Sequence, residues 1–439
     1  MKRLRWGVIT GLVSVSAAGG LAGQQALPAP GAQLQVTLAE AVRRALDVQP
    51  TVVQARGDQR TAGADQRAAV GAFLPSVTVG GSSNKASANR YNTSTGQIVT
   101  VPSNTSYFGS VGVSLNLFDG FRRFATRSAA SAAADASDAG FVNQRAQVTA
   151  ATQQIFFNAL ASEELVRVAE AQLQRAKEEL QIAVNKFQAG AATRSDTLTA
   201  TVDMGNGRLA LLQAQANLAT AQANLGRQIG VDQQVRAEPD SAFPSLPDTS
   251  RLRAEALDSS PQVRQALAQA RAARAQVTVA RSQYFPTLSA SYSNGYTGLD
   301  APWSTTQSYV NNWSLRFSLS WTLFDGFSRE ASQVSASAAR DVAEAQAADA
   351  RRRVNAQLTQ QLAALSTAYA QIEIAGANVA AASEALRVTQ ERYRLGAGTL
   401  LDLLTAQANM TLAQVSEVQA RYGYLIARAE LEALVGHPL

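Results

Sequence analysis

The side chains best equipped for covalent or metal chemistry are nearly missing from this sequence. There is no Cys, so thiolate nucleophiles, disulfides and Cys-based zinc sites are excluded. The one His, His437, lies near the C-terminus; it cannot supply a two-histidine metal motif and reads as surface. No GxxxxGK, HExxH or GxSxG occurs, and none of Lys2, Lys85, Lys177 and Lys186 follows a glycine. Nothing singles out a pair of carboxylates for acid–base work. The expectation is a protein that is not an enzyme and holds no metal and no cofactor. The polar residue best placed to act is Asp402, in the first turn of a helix after a glycine-rich turn. A carboxylate there is favoured by the helix dipole and can also draw cations.

The elements around Asp402 occur twice, and repeats organise the chain. From Leu117 onward an offset of 206 relates Leu117-Phe118-Asp119-Gly120 to Leu323-Phe324-Asp325-Gly326, Gly190 to Gly396, and Asp196 to Asp402. Upstream the offset is 211, pairing Ala45-Leu46-Asp47 and Pro50 with Ala256-Leu257-Asp258 and Pro261. The five-residue difference falls between two strands of each copy, where a hairpin loop tolerates it. The first copy spans 37–235 and the second 251–436. The join, 236–250, carries Pro239, Pro244 and Pro247 and reads as a linker.

Each copy contains a strand with strict alternation. Trp313, Leu315, Phe317, Leu319, Trp321 and Leu323 interleave with Ser314, Arg316, Ser318, Ser320 and Thr322. In the first copy Tyr107, Gly109, Val111, Val113, Leu115 and Leu117 interleave with Phe108, Ser110, Gly112, Ser114 and Asn116. A two-residue period puts one set on each strand face, and about 9–11 tilted residues cross a hydrocarbon layer. Such strands suit a barrel wall between lipid and water. Residues 84–106, rich in Asn, Ser, Thr and Gly, are expected as an exposed loop before the strand from Tyr107.

Helices make up the remainder. One begins near Thr37, with Glu40 three residues on as a capping box, and is expected to run to about Gly71. A second runs from about Phe121 to Phe187, and its equivalent from Phe327 to Tyr393; roughly 65 residues give a rod of about 100 Å. Leu365, Ile372, Val379, Leu386 and Tyr393 recur every seven residues, as do Ala159, Val166, Leu173, Leu180 and Phe187, which is a coiled-coil seam. Return helices from Asp196 to Gly230 and Asp402 to Gly436 match the opening helices in length. Two short helices stacked end to end would therefore flank each rod.

Lys2, Arg3 and Arg5 followed by the uncharged run to Gly23 read as a secretory signal over 1–22, cleaved near Ala22. Its removal reduces the net charge from +6 to 36 basic against 33 acidic residues. No basic block with interleaved aromatics remains, so nucleic acid is not an expected partner.

At the second turn the chain reads Arg392-Tyr393-Arg394-Leu395-Gly396, then Asp402-Leu403-Leu404-Thr405-Ala406-Gln407. This resembles the R-Y-x-x-G…D-[LV]-L-x-A-[QT] signature of the TolC outer-membrane efflux family; Lys186-Phe187-Gln188-Ala189-Gly190 is a looser first copy. The resemblance implies a mainly α fold with a membrane β-barrel portion. Strand hairpins and long coiled-coil helices are duplicated, and three chains form one channel-tunnel. It implies an exit duct of an efflux or type I secretion system, in the outer membrane of a Gram-negative bacterium and extending into the periplasm. The partners it implies are two sister chains, a periplasmic adaptor, an inner-membrane pump that supplies the energy, and outer-membrane lipid. It carries adaptor contact onto Arg392, Tyr393 and Gly396, and onto Lys186, Phe187 and Gly190. The closing carboxylate of the periplasmic aperture maps to Asp402. The chain departs from some members at Gly398 and Thr405, and Arg194 and Asp196 on the neighbouring turn could substitute in holding the aperture. The alternative reading, a secreted coiled-coil adhesin or structural rod, needs only the helices and leaves the paired amphipathic strands unexplained.

Overall fold

The computed structural model describes residues 34–94, 96–239, 245–246, 252, 259–304 and 309–439. The signal segment 1–22 and most of the linker lie outside the described residues. In chain order the elements are β1 (Leu34–Val36), α1 (Leu38–Val48), α2 (Pro50–Gly71), β2 (Ser76–Asn92), β3 (Gln97–Phe118), α3 (Arg122–Gln188), α4 (Arg194–Ile229) and β4 (Val235–Ala237). The second copy gives α5 (Pro261–Arg281), a 3-10 turn over Ser282–Tyr284, β5 (Thr287–Gly298), β6 (Tyr309–Ser320), α6 (Ser328–Arg394) and α7 (Leu400–Val435).

The opening helix starts at the expected cap, with Thr37 Oγ1 accepting from the Glu40 N–H at 3.3 Å. The box is only half made: Glu40 Oε1 accepts from Arg44 at 2.6 and 3.0 Å instead of from Thr37. The helix does not reach Gly71 unbroken. Gln49 is extended at φ −63 and ψ 125, and a new helix starts at Pro50. The proline ring disfavours helical geometry in the residue before it, while its missing N–H suits the first position of a helix. The two rods are 67 residues each and the return helices 36 each.

Packing follows the seven-residue ladder. Leu365, Leu386 and Tyr393 are buried, as are Ala159, Val166 and Leu173, with Ile372, Val379 and Leu180 half-buried. Near the turns the helices form one layer in the order α4–α3–α7–α6, and toward the strands α2–α3–α5–α6. The short helices therefore stack end to end beside the rods. Gln49 Nε2 donates to the Gln228 carbonyl at 2.6 Å where α2 meets α4, and Gly436 at the end of α7 abuts Pro261 of α5. Around this joint Phe156, Leu160, Leu225 and Ile229 form a core with Val36 and Val235. The latter two belong to β1 and β4, which pair in parallel, so Arg236 and Ala237, assigned to the linker, begin in a strand.

The remaining strands make one antiparallel sheet in the order β2-β3-β5-β6. Residues 84–106 are not a loop: β2 and β3 stay paired from Ser76↔Ser114 out to Asn92↔Gln97. Ladder hydrogen bonds do not depend on side-chain composition, and β5 pairs with β3 only as far as Tyr107↔Gly298. Beyond that point no other described strand pairs with the hairpin, and the β-branched Ile98, Val99, Thr100 and Val101 are set in a stretch otherwise rich in Ser, Asn and Thr. A second departure lies at the other end. β6 stops at Ser320, leaving Trp321 and Leu323 outside it. Arg329 takes the Thr322 and Leu323 carbonyls at 2.8 and 2.9 Å, and Trp321 Nε1 donates to the Tyr284 carbonyl at 3.2 Å.

Candidate functional site

Two regions gather the residues singled out above. The first is the sheet, where register aligns side chains across all four strands. Val77, Val113, Tyr292 and Leu315 form one row, Val79, Val111, Asn294 and Trp313 another, and Leu115, Ala290 and Phe317 a third. The opposite face carries Ser76, Ser114, Ser291 and Arg316, then Thr78, Gly112, Ser293 and Ser314. Trp313, Leu315, Phe317 and Leu319 are 56–72% exposed although they are among the largest apolar groups present. Leu117 sits at a register shift between Asn116 and Phe118, and Tyr107 stacks edge-on against Trp303 at 6.0 Å between ring centroids. Among the described residues no other helix or strand covers the apolar face, an exposed patch of a kind that marks an interface with lipid or protein.

The second region is the pair of turns at the far ends of the rods. Both close in the same way. Gly190 and Gly396 have φ of +76 and +80, the left-handed geometry that glycine adopts without penalty. Ala191 N–H donates to the Lys186 carbonyl and Ala397 N–H to the Arg392 carbonyl, each at 2.8 Å; Gly190 and Gly396 N–H donate to Phe187 and Tyr393 at 3.0 and 3.1 Å. This pair of bonds is the Schellman ending. The next helices then open with capping boxes. Asp196 Oδ2 accepts from Thr193 N–H and Oγ1 at 2.8 and 2.9 Å, and Asp402 Oδ2 from Thr399 N–H and Oγ1 at 3.1 and 2.8 Å. The Thr399 bonds, with the Arg392 charge in support, hold the Asp402 carboxyl below the ordinary aspartate range.

The two turns touch through Lys186 and Tyr393. Lys186 Nζ lies 4.0 Å from the Tyr393 ring centre and also donates to the Tyr393 carbonyl. Tyr393 is 5% exposed, packed with Leu386, Leu400, Leu403 and Ala406, whereas Phe187, its counterpart, is 44% exposed. The duplicated seam is thus asymmetric at its last position. Burial first, then Asp196 and Glu179, push the Tyr393 hydroxyl up, and its oxygen is buried without a partner. Arg194 and Arg392 are exposed, and Arg392 Nη2 reaches the Ala397 carbonyl at 3.4 Å.

A set of buried polar residues was not anticipated. Glu179 lies inside the helical layer two turns from Lys186, with the half-buried Arg175 one turn away on the same helix, and Gln407 of α7 is buried as well. The available signal was positional: Glu179 falls on the stripe formed by Ala169, Ala176 and Ala183, where an apolar residue is expected.

Three comparisons bear on this geometry. The family described as outer membrane efflux protein matches residues 41–231 and 252–437. The chain is 26% identical over 413 residues to the outer membrane efflux protein BepC of Brucella suis, covering 90% of this chain and 84% of that one. The alkaline protease secretion protein AprF of Pseudomonas aeruginosa is 33% identical over 201 residues, 42% of this chain and 39% of that one. Among solved structures, the CmeC outer membrane channel of Campylobacter jejuni superposes with a TM-score of 0.78 at 20% identity, over 91% of this chain and 85% of that one.

Proposed function

Since this chain belongs to the outer membrane efflux protein family, we propose a specific way in which it builds and gates its passage. It is an outer-membrane channel-tunnel serving efflux or secretion, and members of its family are channels rather than enzymes.

The supporting observation is a single sheet with one greasy face, one polar face and two unpaired edges, standing on helical rods. Four strands are too few to enclose a lumen, and unpaired backbone groups at an edge in hydrocarbon cost several kcal/mol each, by order of magnitude. In our reading β2 of one chain pairs with β6 of the next, and three chains close one barrel of twelve strands. Val77, Val79, Tyr107, Val111, Val113, Leu115, Leu117, Trp313, Leu315, Phe317 and Leu319 then face lipid, with Trp321 and Leu323 at the inner rim. The Ser, Thr, Gly and Arg316 face lines a wet lumen. The helical layer continues the duct, and the turns at 186–196 and 392–402 form its periplasmic end. Transport through it is passive, driven by an inner-membrane pump through a periplasmic adaptor.

At that end Arg392, Tyr393 and Gly396, with Lys186, Phe187 and Gly190, form the adaptor-contact surface; the exposure of Arg392, Gly396, Phe187 and Gly190 supports this. The Lys186–Tyr393 contact ties the two turns of each chain. Asp402, with Asp196 and Arg194, borders the aperture. The carboxylates are fixed by their capping boxes, so they are preorganised rather than free to sweep. In planar bilayers the purified protein is expected to form channels, and Asp402→Ala to raise conductance by widening the aperture. In gels the unheated protein is expected to run as a trimer. A monodisperse, detergent-independent monomer without conductance would overturn the reading, and unchanged conductance in Asp402→Ala would remove that residue from the gate.

A further inference from the structure

Two turns from the Lys186–Tyr393 contact, the groove between α3, α4 and α7 encloses a carboxylate that has no partner. Glu179 is 1% exposed, and neither of its oxygens accepts a hydrogen bond. Arg175 stands one turn earlier on the same helix but turns away from it. Its Nη2 donates across the groove to Thr411 Oγ1 at 3.2 Å and Gln414 Oε1 at 3.5 Å, and its Nε finds no acceptor. Carrying that antiparallel register one turn toward the tip sets Gln407 of α7 opposite Glu179. Gln407 is also buried, and its Nε2 is also without a partner. Three buried polar groups side by side in one groove, none bonded to another, are what a helix interface normally eliminates.

The charged surroundings come from every neighbouring helix. On α3 they are Arg175 and Glu178; on α4, Asp203; at the end of α6, the Tyr393 hydroxyl. From Leu403 to Gln414, α7 has no charged residue. Lys177, two residues away on α3, is exposed to solvent, and Lys186, the next cation toward the tip, is committed to Tyr393.

We propose that Glu179 is a proton-operated wedge in the periplasmic end of this channel. Protonated, it lets α3, α4 and α7 close on one another; ionised, it draws water into the groove and loosens them. The inference rests on the channel reading above and adds its regulation. Burial, then repulsion from Asp203, push the Glu179 carboxyl up to about 8, with Arg175 opposing. Because the packed state holds the proton above the ordinary value of 4.5, its contribution to packing is complete at acid pH. That contribution is lost as pH rises through about 8. The ionised fraction would grow from about a tenth at pH 7 to about nine-tenths at pH 9.

The test uses the full-length protein in planar bilayers, with open-state frequency read from pH 7 to 9. An increase of up to about tenfold is expected, and Glu179→Gln should abolish the pH dependence and hold the channel at the low opening of the protonated state throughout. Amide exchange of the unaltered protein, corrected for intrinsic rates, supplies a second readout that needs no variant. Protection over 175–188 and 400–411 should fall between pH 7 and 9, while 125–150 stays constant. A pH step that survives Glu179→Gln, or unchanged protection of both tip segments, would overturn the proposal. Absence of any conductance would instead count against the channel reading, and the exchange result would still decide the role of Glu179.

Discussion

At the strand-to-helix joints single residues carry unusual backbone. Gly120 and Phe121 have φ of +67 and +65, and Gly326 and Phe327 have +68 and +67, so each joint sets two left-handed residues in succession. For phenylalanine that conformation costs about 1–2 kcal/mol, and the surroundings must hold it. Asp119 Oδ2 accepts from Arg123 N–H at 3.0 Å and Asp325 Oδ2 from Arg329 N–H at 3.2 Å, locking the first helical turn onto the joint. The glycines before these phenylalanines are alike in φ and unlike in space. A Cβ on Gly120 would lie 2.6 Å from Phe285 Cβ and 2.7 Å from the Ser282 carbonyl, whereas one on Gly326 would meet nothing within 4 Å. Gly326→Ala should therefore cost only the conformational penalty, about 1–2 kcal/mol, and Gly120→Ala about 1–3 kcal/mol more for the collision. The temperature at which the folded form is lost in heated gel samples measures both. Equal shifts would contradict the collision.

At the scale of elements, the two return helices begin from the same device. Thr399→Ala removes the hydroxyl that accepts from the Asp402 N–H at 3.1 Å and should weaken the first turn of α7 by about 1 kcal/mol. Acid should act in the same direction. The Asp402 carboxyl is held below its ordinary value of 3.8, so the stabilisation is present above that value and lost as pH falls through the lowered one. Corrected for intrinsic rates, protection of the 400–404 amides should fall as pH drops below the ordinary value of 3.8 in the unaltered protein and be insensitive to acid in Asp402→Asn; acid sensitivity retained in the variant would place its origin elsewhere. The rods were legible because their seven-residue ladder needs only the chain itself. The return helices were read from Asp196 and Asp402 as first-turn carboxylates, and the Thr193 and Thr399 caps three residues earlier were missed although their spacing is local. The break at Gln49 was legible in principle from Pro50, but the apolar pattern continues across it. The full length of the β2–β3 hairpin was missed because Ser, Asn, Thr and Gly dominate residues 84–106, although Ile98, Val99, Thr100 and Val101 form a β-branched run within them. Glu179 was visible only as a charge out of place. That it lacks a partner depends on Arg175 turning toward α7, a choice made in three dimensions.

At the scale of the whole molecule, assembly depends on what each chain leaves unpaired at its two sides. On α4 the exposed Leu198, Val202, Leu209 and Leu212 form a coiled-coil seam that faces no helix of the same chain. On α6 and its C-cap, at the opposite side of the layer, Ile374, Val388 and Leu395 are exposed on a seven-residue ladder of their own. Two different unpaired seams on opposite sides generate a head-to-tail contact, and such a contact closes into a ring when the rotation allows. The sheet repeats the pattern, with β2 at one edge and β6 at the other. Rotation about the ring axis preserves height, which fixes the residues that must meet. Gly207 packs on Leu173 across α4 and α3, and Lys186 meets Tyr393 at the turns. Carrying those two registers along the antiparallel helices sets Leu212 and Ile374 at one height. In this cysteine-free chain, the double variant Leu212→Cys with Ile374→Cys should therefore crosslink on mild oxidation into covalent dimers and then trimers, and no further. Each single variant should stay monomeric in denaturing gels. A ladder extending past three would keep the head-to-tail contact and reject the ring size, while no crosslink at all would reject the pairing of α4 with α6. In the proposed assembly the same closure governs the barrel and the helical duct, so a chain that failed to ring-close below could not seal its strands above.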